Sequence, residues 1–130
     1  MRARSHPIPW AWLAVPTCLI SLERVLFVFF GARVPPATEI LWLLTFTVIV
    51  TWWVQLDLRA HGLSVPFEFE ALVFWAWPLV VPYYLYRTRG RRGLVLGAAL
   101  WFLWLFPLFV AVGAYVALVV LRLLVTAAAG

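Results

Sequence analysis

Charged residues are scarce in this 130-residue chain, in which Asp, Glu, Lys and Arg together make up 12%. Soluble domains carry about 25%. Hydrophobic residues make up 66%, against about 45–50% in a soluble domain. Because a soluble domain of this size must cover its surface with polar groups, the composition excludes that class. It predicts a surface that is covered by lipid.

Lysine and asparagine are absent, and cysteine occurs once, at Cys18. A single cysteine excludes an intrachain disulfide. The absence of lysine fits a GC-rich genome better than any mechanism, and it makes all ten basic residues arginines. These arginines, which give a net charge of +5, lie mostly at the ends of hydrophobic runs. That placement indicates lipid headgroups as their partners and argues against nucleic acid.

Polar interruptions are also few, so four long apolar runs dominate the chain. They cover residues 8–30, 40–56, 69–86 and 94–121. About 20 apolar residues are needed to cross the hydrocarbon core, and no two-residue alternation typical of strands is sustained. The sequence predicts an all-α fold, a polytopic transmembrane helical bundle with about four spans, in one integral membrane domain over residues 1–130. The short connections predict antiparallel neighbours.

Prolines predict that three of these helices are irregular. Pro16 interrupts the first run. Pro78 and Pro82 lie four residues apart in the third run, where each removes a backbone donor, so one bend is expected there. The fourth run has 28 residues, or about 42 Å of helix, which exceeds the hydrocarbon thickness. We expect a tilt, a kink at Pro107 or a protrusion to absorb the excess.

The distribution of arginines bears on orientation. With four spans, both termini share a side that carries four arginines, and the opposite side carries five. The count alone is undecided, but four of the five lie in one short turn, residues 87–92, whereas the region 57–70 is acidic. We therefore expect the basic turn in the cytoplasm and both termini outside.

Glu23 and Arg24 form a candidate intramembrane polar site, because they interrupt the first apolar run. A charged residue at the bilayer centre costs about 2.5–3.5 kcal/mol on insertion scales. In one interpretation the helix ends near Leu22 and the pair lies among headgroups. In the other, Glu23 contributes to a proton or ion path, or to a contact between subunits.

Two further groups of residues suggest how the chain meets its surroundings. Small residues in the fourth run predict a face on which helices approach closely, inside the chain or against a partner; they are Gly93, Gly97, Ala111, Gly113, Ala114 and Ala117. Arginines and tyrosines around the third connection predict anchors in lipid headgroups; they are Tyr83, Tyr84, Tyr86, Arg87, Arg89, Arg91 and Arg92.

No catalytic, metal-binding or nucleotide-binding motif stands out, so we do not expect an enzyme. Asp57, His61, Glu68 and Glu70 crowd one region, but their spacing matches no pattern of metal ligands. No predicted span contains a histidine, which argues against an axial ligand to a haem or chlorophyll. No cofactor is expected, although four tryptophans deep in the runs leave peripheral lipid, quinone or pigment contacts open: Trp75, Trp77, Trp101 and Trp104.

One segment resembles a group of small, multi-spanning bacterial membrane proteins. Residues 77–94 read WPLVVPYYLYRTRGRRGL, with a Trp-Pro pair, a cluster of aromatic residues and an Arg-Gly-rich turn. The resemblance covers 18 residues of the chain, and no activity is known for that group. It implies a bacterial membrane location and carries over no site, substrate or cofactor.

The function predicted from these features is that of a small structural or accessory subunit in the bacterial cytoplasmic membrane. It would pack against larger membrane partners, in a respiratory, photosynthetic or transport assembly, or against itself. The alternative is a small transporter or channel whose path passes Glu23 and the bend at Pro78 and Pro82. A membrane enzyme is the third reading, disfavoured because no cluster of convergent polar residues is evident.

Overall fold

The computed structural model describes residues 7–63 and 66–130, with Phe67 described by its backbone alone. These residues form four α-helices and no strand, which confirms the all-α prediction. The helices are α1 (Trp10–Phe29), α2 (Pro36–Ala60), α3 (Phe67–Arg89) and α4 (Arg91–Ala129).

Prolines and a glycine mark the helix boundaries. α2 begins at Pro36, because proline at the first position has a suitable φ and lacks only an N–H that would have no helical partner there. A single residue, Gly90, separates α3 from α4; its φ of 62° is one that residues with a side chain rarely adopt. The short connection makes α3 and α4 a tight hairpin.

The second part of α3 runs antiparallel to α4. The Trp77 and Trp104 rings are 5.3 Å apart, and nearer the turn a Cβ added to Gly97 would lie 3.1 Å from Pro82. Trp101 Nε1 donates a 2.8 Å hydrogen bond to the backbone carbonyl of Pro78. That carbonyl has lost its helical donor, because the residue four positions later is Pro82. The prolines therefore create an acceptor that α4 satisfies.

Replacing Trp101 with phenylalanine is expected to lower the free energy of unfolding by about 1 kcal/mol, the net contribution of one such hydrogen bond. The ring volume is largely kept, so the loss reports the unpaired carbonyl of Pro78. Unfolding by titration with a denaturing detergent, followed by circular dichroism, measures the change. Trp75→Phe is the control, since Trp75 is 82% exposed; equal losses in both variants would contradict the assignment.

α2 and the second part of α3 run parallel, whereas the short connection predicts an antiparallel pair. The Phe46 and Trp77 rings are 5.1 Å apart, and further along both helices Tyr84 donates a 2.8 Å hydrogen bond to Asp57. Residue numbers therefore rise in the same direction in the two helices. The C-terminal ends of α2 and α3 lie at the same end of the bundle.

α3 also starts toward that end. The N–H of Leu63 bonds back to the carbonyl of Leu58 at 3.1 Å, which keeps Leu63 against the end of α2. Four peptide steps from Leu63 to Phe67 reach at most about 14 Å, whereas the 25 residues of α2 extend about 37 Å. α3 then bends at Ala76 (φ −121°, ψ 25°) and returns. We call α3 re-entrant, because it starts and ends toward one end of the bundle.

The bend in α3 confirms the irregularity predicted there and locates it two residues before Pro78. The proline ring clashes with the carbonyl of the residue four positions earlier, and the chain relieves this clash at Ala76. The other two prolines do not interrupt their helices. α1 is continuous through Pro16 and α4 through Pro107, so Glu23 and Arg24 lie inside α1 and not beyond its end.

Three of the helices, α1, α2 and α4, are long and apolar enough to cross a membrane by length and composition. Among the described residues α3 does not meet that criterion. Its first turn carries Glu68 and Glu70, and its last turn carries Arg87 and Arg89. The predicted span over residues 69–86 is therefore the one that composition supports least.

One apolar core joins the four helices. Its largest fully buried side chains come from every helix: Leu13, Phe46, Trp53, Trp77, Leu85 and Leu100. Since lipid tails are as apolar as these side chains, close packing holds such a core together in a membrane. Gly93 and Gly97 are buried on α4 and allow its backbone to approach α3.

The second half of α4 has no helix packed closely around it. α4 contains 39 residues, or about 58 Å of helix, and it passes the start of α2 near Pro107. No residue after Pro107 is buried. We call residues 108–129 the α4 extension. α4 therefore extends past the other helices, and how its length fits the bilayer, by tilt, kink or protrusion, stays a prediction.

Candidate functional site

Asp57 is the centre of a buried polar cluster at the end of α2. Its side chain is 0% exposed and accepts two hydrogen bonds, from Tyr84 Oη at 2.8 Å and from Arg89 Nη2 at 3.0 Å. A buried carboxylate is costly unless it is paired and hydrogen-bonded. Both conditions are met here, because the end of α3 supplies a cation and a hydroxyl donor.

Two more side chains complete this Asp57 cluster. The Arg89 guanidinium lies 5.5 Å from the centroid of the Trp53 ring, within the range of a cation–π interaction. The Nδ1 atom of His61 lies 2.7 Å from the backbone carbonyl of Asp57 and 3.9 Å from its carboxylate. The Asp57 cluster therefore ties the last turns of α2 to the last turns of α3, where the two helices run parallel.

The sequence interpretation missed this cluster because it ended the second helix at Leu56. α2 continues to Ala60 and carries Asp57 into the bundle. The available signal was a carboxylate directly after an apolar run, with an arginine and a tyrosine about 30 residues later. Their meeting depends on the parallel course of α2 and α3, which the length of the connection argued against.

Two of the predicted headgroup anchors lie elsewhere than expected. Tyr84 is 8% exposed and the side chain of Arg89 17% exposed, because both turn inward to Asp57. The other five residues of that group are exposed: Tyr83, Tyr86, Arg87, Arg91 and Arg92. For these five, contact with headgroups stays a prediction.

A second polar cluster lies at the start of α2. Arg24 Nη2 donates to Glu39 Oε2 at 2.5 Å, and Thr38 Oγ1 donates to Glu23 Oε1 at 3.2 Å. We call these four residues the Arg24 cluster. Glu39 lies in the first turn of α2, where the helix dipole favours a carboxylate. The candidate polar pair of α1 therefore finds its partners on the neighbouring helix.

The two clusters lie at opposite ends of α2 and are separated by an apolar core. Glu39 and Asp57 are 18 residues apart in α2, or about 27 Å. The buried side chains between them include Trp42, Phe46 and Val50. Between Glu39 and Asp57, α2 carries no Asp, Glu, His, Lys or Arg. The clusters can hold helices together, and they are not joined into a chain of proton-carrying groups.

The predicted face of small residues on α4 is divided by the structure. A Cβ on Gly93 would collide with the backbone of Leu85, so this part of the face is used inside the chain. A Cβ on Gly113 would meet nothing within 4 Å. The alanines around Gly113 are not buried either; they are Ala111, Ala114 and Ala117. That second part of the face lies on the α4 extension, where Gly113 and Ala117 are exposed and Ala111 and Ala114 are half-buried.

Comparisons with known proteins found no family model, no curated protein and no solved structure that matches this chain. The described part of the chain also contains no group of three or more His, Cys, Asp or Glu side chains that could hold a metal ion. Function is therefore argued from the two polar clusters and from the α4 extension. The resemblance of residues 77–94 to small bacterial membrane proteins stays a prediction.

Proposed function

We propose that this chain is a small accessory subunit of a larger assembly, respiratory or photosynthetic in kind, in the bacterial cytoplasmic membrane. The observation that carries the proposal is the α4 extension. It belongs to α4, which is the most apolar of the three candidate spans. No residue in the apolar 18-residue stretch that makes α4 a candidate span is buried. An apolar helix with no covering surface of its own calls for another protein to cover it.

The bundle itself spans most of a bilayer without the α4 extension. The apolar part of α2, residues 40–56, is about 25 Å long, and the hydrocarbon core is about 30 Å thick. The α4 extension adds 22 residues, or about 33 Å. Arg122 is its single charged residue, so it has no polar face to turn to water. Contact with a partner subunit removes that apolar surface from water.

The apolar packing between the two polar clusters supports an accessory role over the alternative of a transporter or channel. Glu23 is hydrogen-bonded to Thr38 at one end of the bundle, and Asp57 is paired with Arg89 at the other. Between them lie the fully buried rings of Phe46 and Trp77. A path for ions needs polar groups or water along its length. The buried polar side chains on α1 and α2 between these ends carry hydroxyls alone, those of Thr17, Ser21, Thr47 and Thr51, and Thr17 and Ser21 donate to carbonyls of their own helix.

The re-entrant course of α3 changes the proposed topology. With three crossings, by α1, α2 and α4, the N-terminus lies on the same side as the α3–α4 turn, and the C-terminus lies on the other side. Among the described residues, the first side carries five arginines: Arg59, Arg87, Arg89, Arg91 and Arg92. The second side carries three: Arg24, Arg33 and Arg122. The excess of arginine supports a cytoplasmic N-terminus, whereas four spans predict both termini outside.

Reporters at the two ends are expected to give opposite results. A phosphatase that is active only after export should be active when fused after Gly130. A fluorescent protein that folds only in the cytoplasm should be bright when fused before Met1. A phosphatase inserted at Arg33, between α1 and α2, serves as the control and should be active. Reporters that place both termini on the same side of the membrane would contradict three crossings.

Enlarging Gly113 is expected to release the partner without disturbing the bundle. A Cβ at Gly113 meets nothing within 4 Å, so Gly113→Trp should leave the unfolding of the isolated chain unchanged. In native membranes extracted with mild detergent, stoichiometric subunits should co-purify with the wild-type chain and be reduced at least tenfold with Gly113→Trp.

The matched control for this variant is Val95→Trp. Val95 is 69% exposed and lies on the part of α4 that packs in the bundle. It adds the same ring to the same helix and should keep the partner. Equal recovery of subunits with both variants would show that the α4 extension is not the binding surface.

A further inference from the structure

A cleft of about 340 Å³ lies between α1, α2 and α4, next to the Arg24 cluster. Its apolar wall includes the rings of Trp42 and Trp104 and the side chains of Leu105 and Leu108. Arg24 and Glu39 form its polar end. Small-molecule sites in proteins typically have apolar walls of this kind and a few polar groups that fix the orientation of the ligand.

Arg24, which lines this cleft, has an unused hydrogen-bond donor. Its side chain is 12% exposed, and one guanidinium nitrogen is taken by Glu39. Its Nε is buried and has no hydrogen-bond partner among the described residues. A buried N–H without an acceptor costs about 1–3 kcal/mol, so such atoms mark places where a missing partner is expected.

The charges around this donor select the kind of acceptor. Glu39 neutralises Arg24 at 2.5 Å, so an anion entering the cleft would be attracted by the arginine and repelled by the carboxylate. A neutral oxygen acceptor, such as a carbonyl, carries no such cost. A larger cleft of about 580 Å³ between Trp12 and Ile49 has entirely apolar walls, so it lacks any group that could orient a ligand.

We propose that the cleft beside Arg24 binds a neutral, membrane-dissolved molecule whose carbonyl oxygen accepts the Arg24 Nε–H and whose apolar body lies against Trp42 and Trp104. Two membrane components share this chemistry, an isoprenoid quinone and the ester carbonyl of a diacyl lipid. The cleft meets the α4 extension at Leu108, and its other lining residues belong to the bundle, so the proposal stands whether or not a partner subunit is found.

Ligand-dependent stabilisation of the full-length, detergent-solubilised chain tests this proposal, because a ligand that binds the folded state raises the unfolding temperature. The probes are decylubiquinone in one arm and dioleoylphosphatidylcholine in the other. We expect the unfolding temperature to rise saturably with one of the two probes. That probe identifies the source of the carbonyl. Arg24→Lys keeps the charge next to Glu39 but removes the Nε donor, and it should weaken that binding about five- to tenfold.

A second variant keeps the test decisive if Arg24→Lys folds poorly. Leu105→Trp fills the cleft and should abolish the rise, whereas Leu79→Trp places the same ring on an exposed position of α3 and should leave it intact. A rise that persists in Leu105→Trp would overturn the proposal. So would the absence of any rise in both arms with the wild-type chain.

Discussion

Replacing Asp57 with leucine is expected to lower the free energy of unfolding by about 3–5 kcal/mol, the cost of breaking a buried ion pair from one side. The substitution leaves the guanidinium of Arg89 inside the bundle without its carboxylate and leaves the hydroxyl of Tyr84 without its acceptor. Both groups are largely shielded from water, with Tyr84 8% and the Arg89 side chain 17% exposed, so water does not fully replace the missing bonds. Detergent titration followed by circular dichroism measures the loss.

Two further variants separate the ion pair from a simple change of size. Removing both partners in Asp57→Leu/Arg89→Leu should recover most of the lost stability, because no uncompensated charge then remains buried. Glu68→Leu, at an exposed position in the first turn of α3, should change stability by no more than about 0.5 kcal/mol. A double variant as unstable as Asp57→Leu would contradict the pairing described here.

Replacing Gly93 with alanine is expected to destabilise the hairpin of α3 and α4 by about 1–3 kcal/mol or more, in the range of overpacked cores. The added Cβ would collide with the backbone carbonyl of Leu85, which cannot move aside as a flexible side chain could. The loss should appear even though alanine favours a helix over glycine by about 1 kcal/mol. Thermal unfolding of the detergent-solubilised chain measures it.

The same substitution at Gly113 is the matched control. Gly113 lies on the same helix and meets nothing within 4 Å. In the isolated chain Gly113→Ala should therefore be neutral or stabilise by up to about 1 kcal/mol, through helix propensity alone. The two variants are expected to differ in sign. A loss at both positions, or at neither, would mean that α3 does not approach α4 at Gly93.

Much of the fold follows from the apolar runs in the sequence and from its prolines. Four apolar runs predict four helices, the Pro35–Pro36 pair starts α2, and Pro78 marks the bend in α3. Apolar runs and prolines act on the residues next to them, so their effects can be predicted from the sequence of one segment. The direction of α3 could not be read this way. It depends on the bend at Ala76 and on the partners that its second part finds on α2.

In the polar clusters, too, some residues stand out in the sequence, whereas their partners depend on the fold. Glu23 and Arg24 stand out in the sequence because charge is unusual in an apolar run, but their partners, Thr38 and Glu39, are set by the turn between α1 and α2. Tyr84 was predicted to lie at the lipid interface by residue type. Its rotational position on α3 decides that it points to Asp57 instead.

The end of α4 was predicted too early, at Leu121, because Arg122 ends the apolar run. The helix continues to Ala129. Leucine and alanine have high helix propensity, and a single arginine does not interrupt them. The α4 extension, which carries the proposed function, is therefore longer in the structure than the sequence predicts.

Site-specific photocrosslinking in native membranes tests the central claim most directly, which is that the α4 extension is covered by another protein. A benzophenone amino acid replaces Val116 on the α4 extension or, as control, Leu19 on α1; both side chains are more than half exposed. We predict one discrete protein adduct from position 116 and lipid adducts alone from position 19. Lipid adducts alone from both positions would contradict the accessory role.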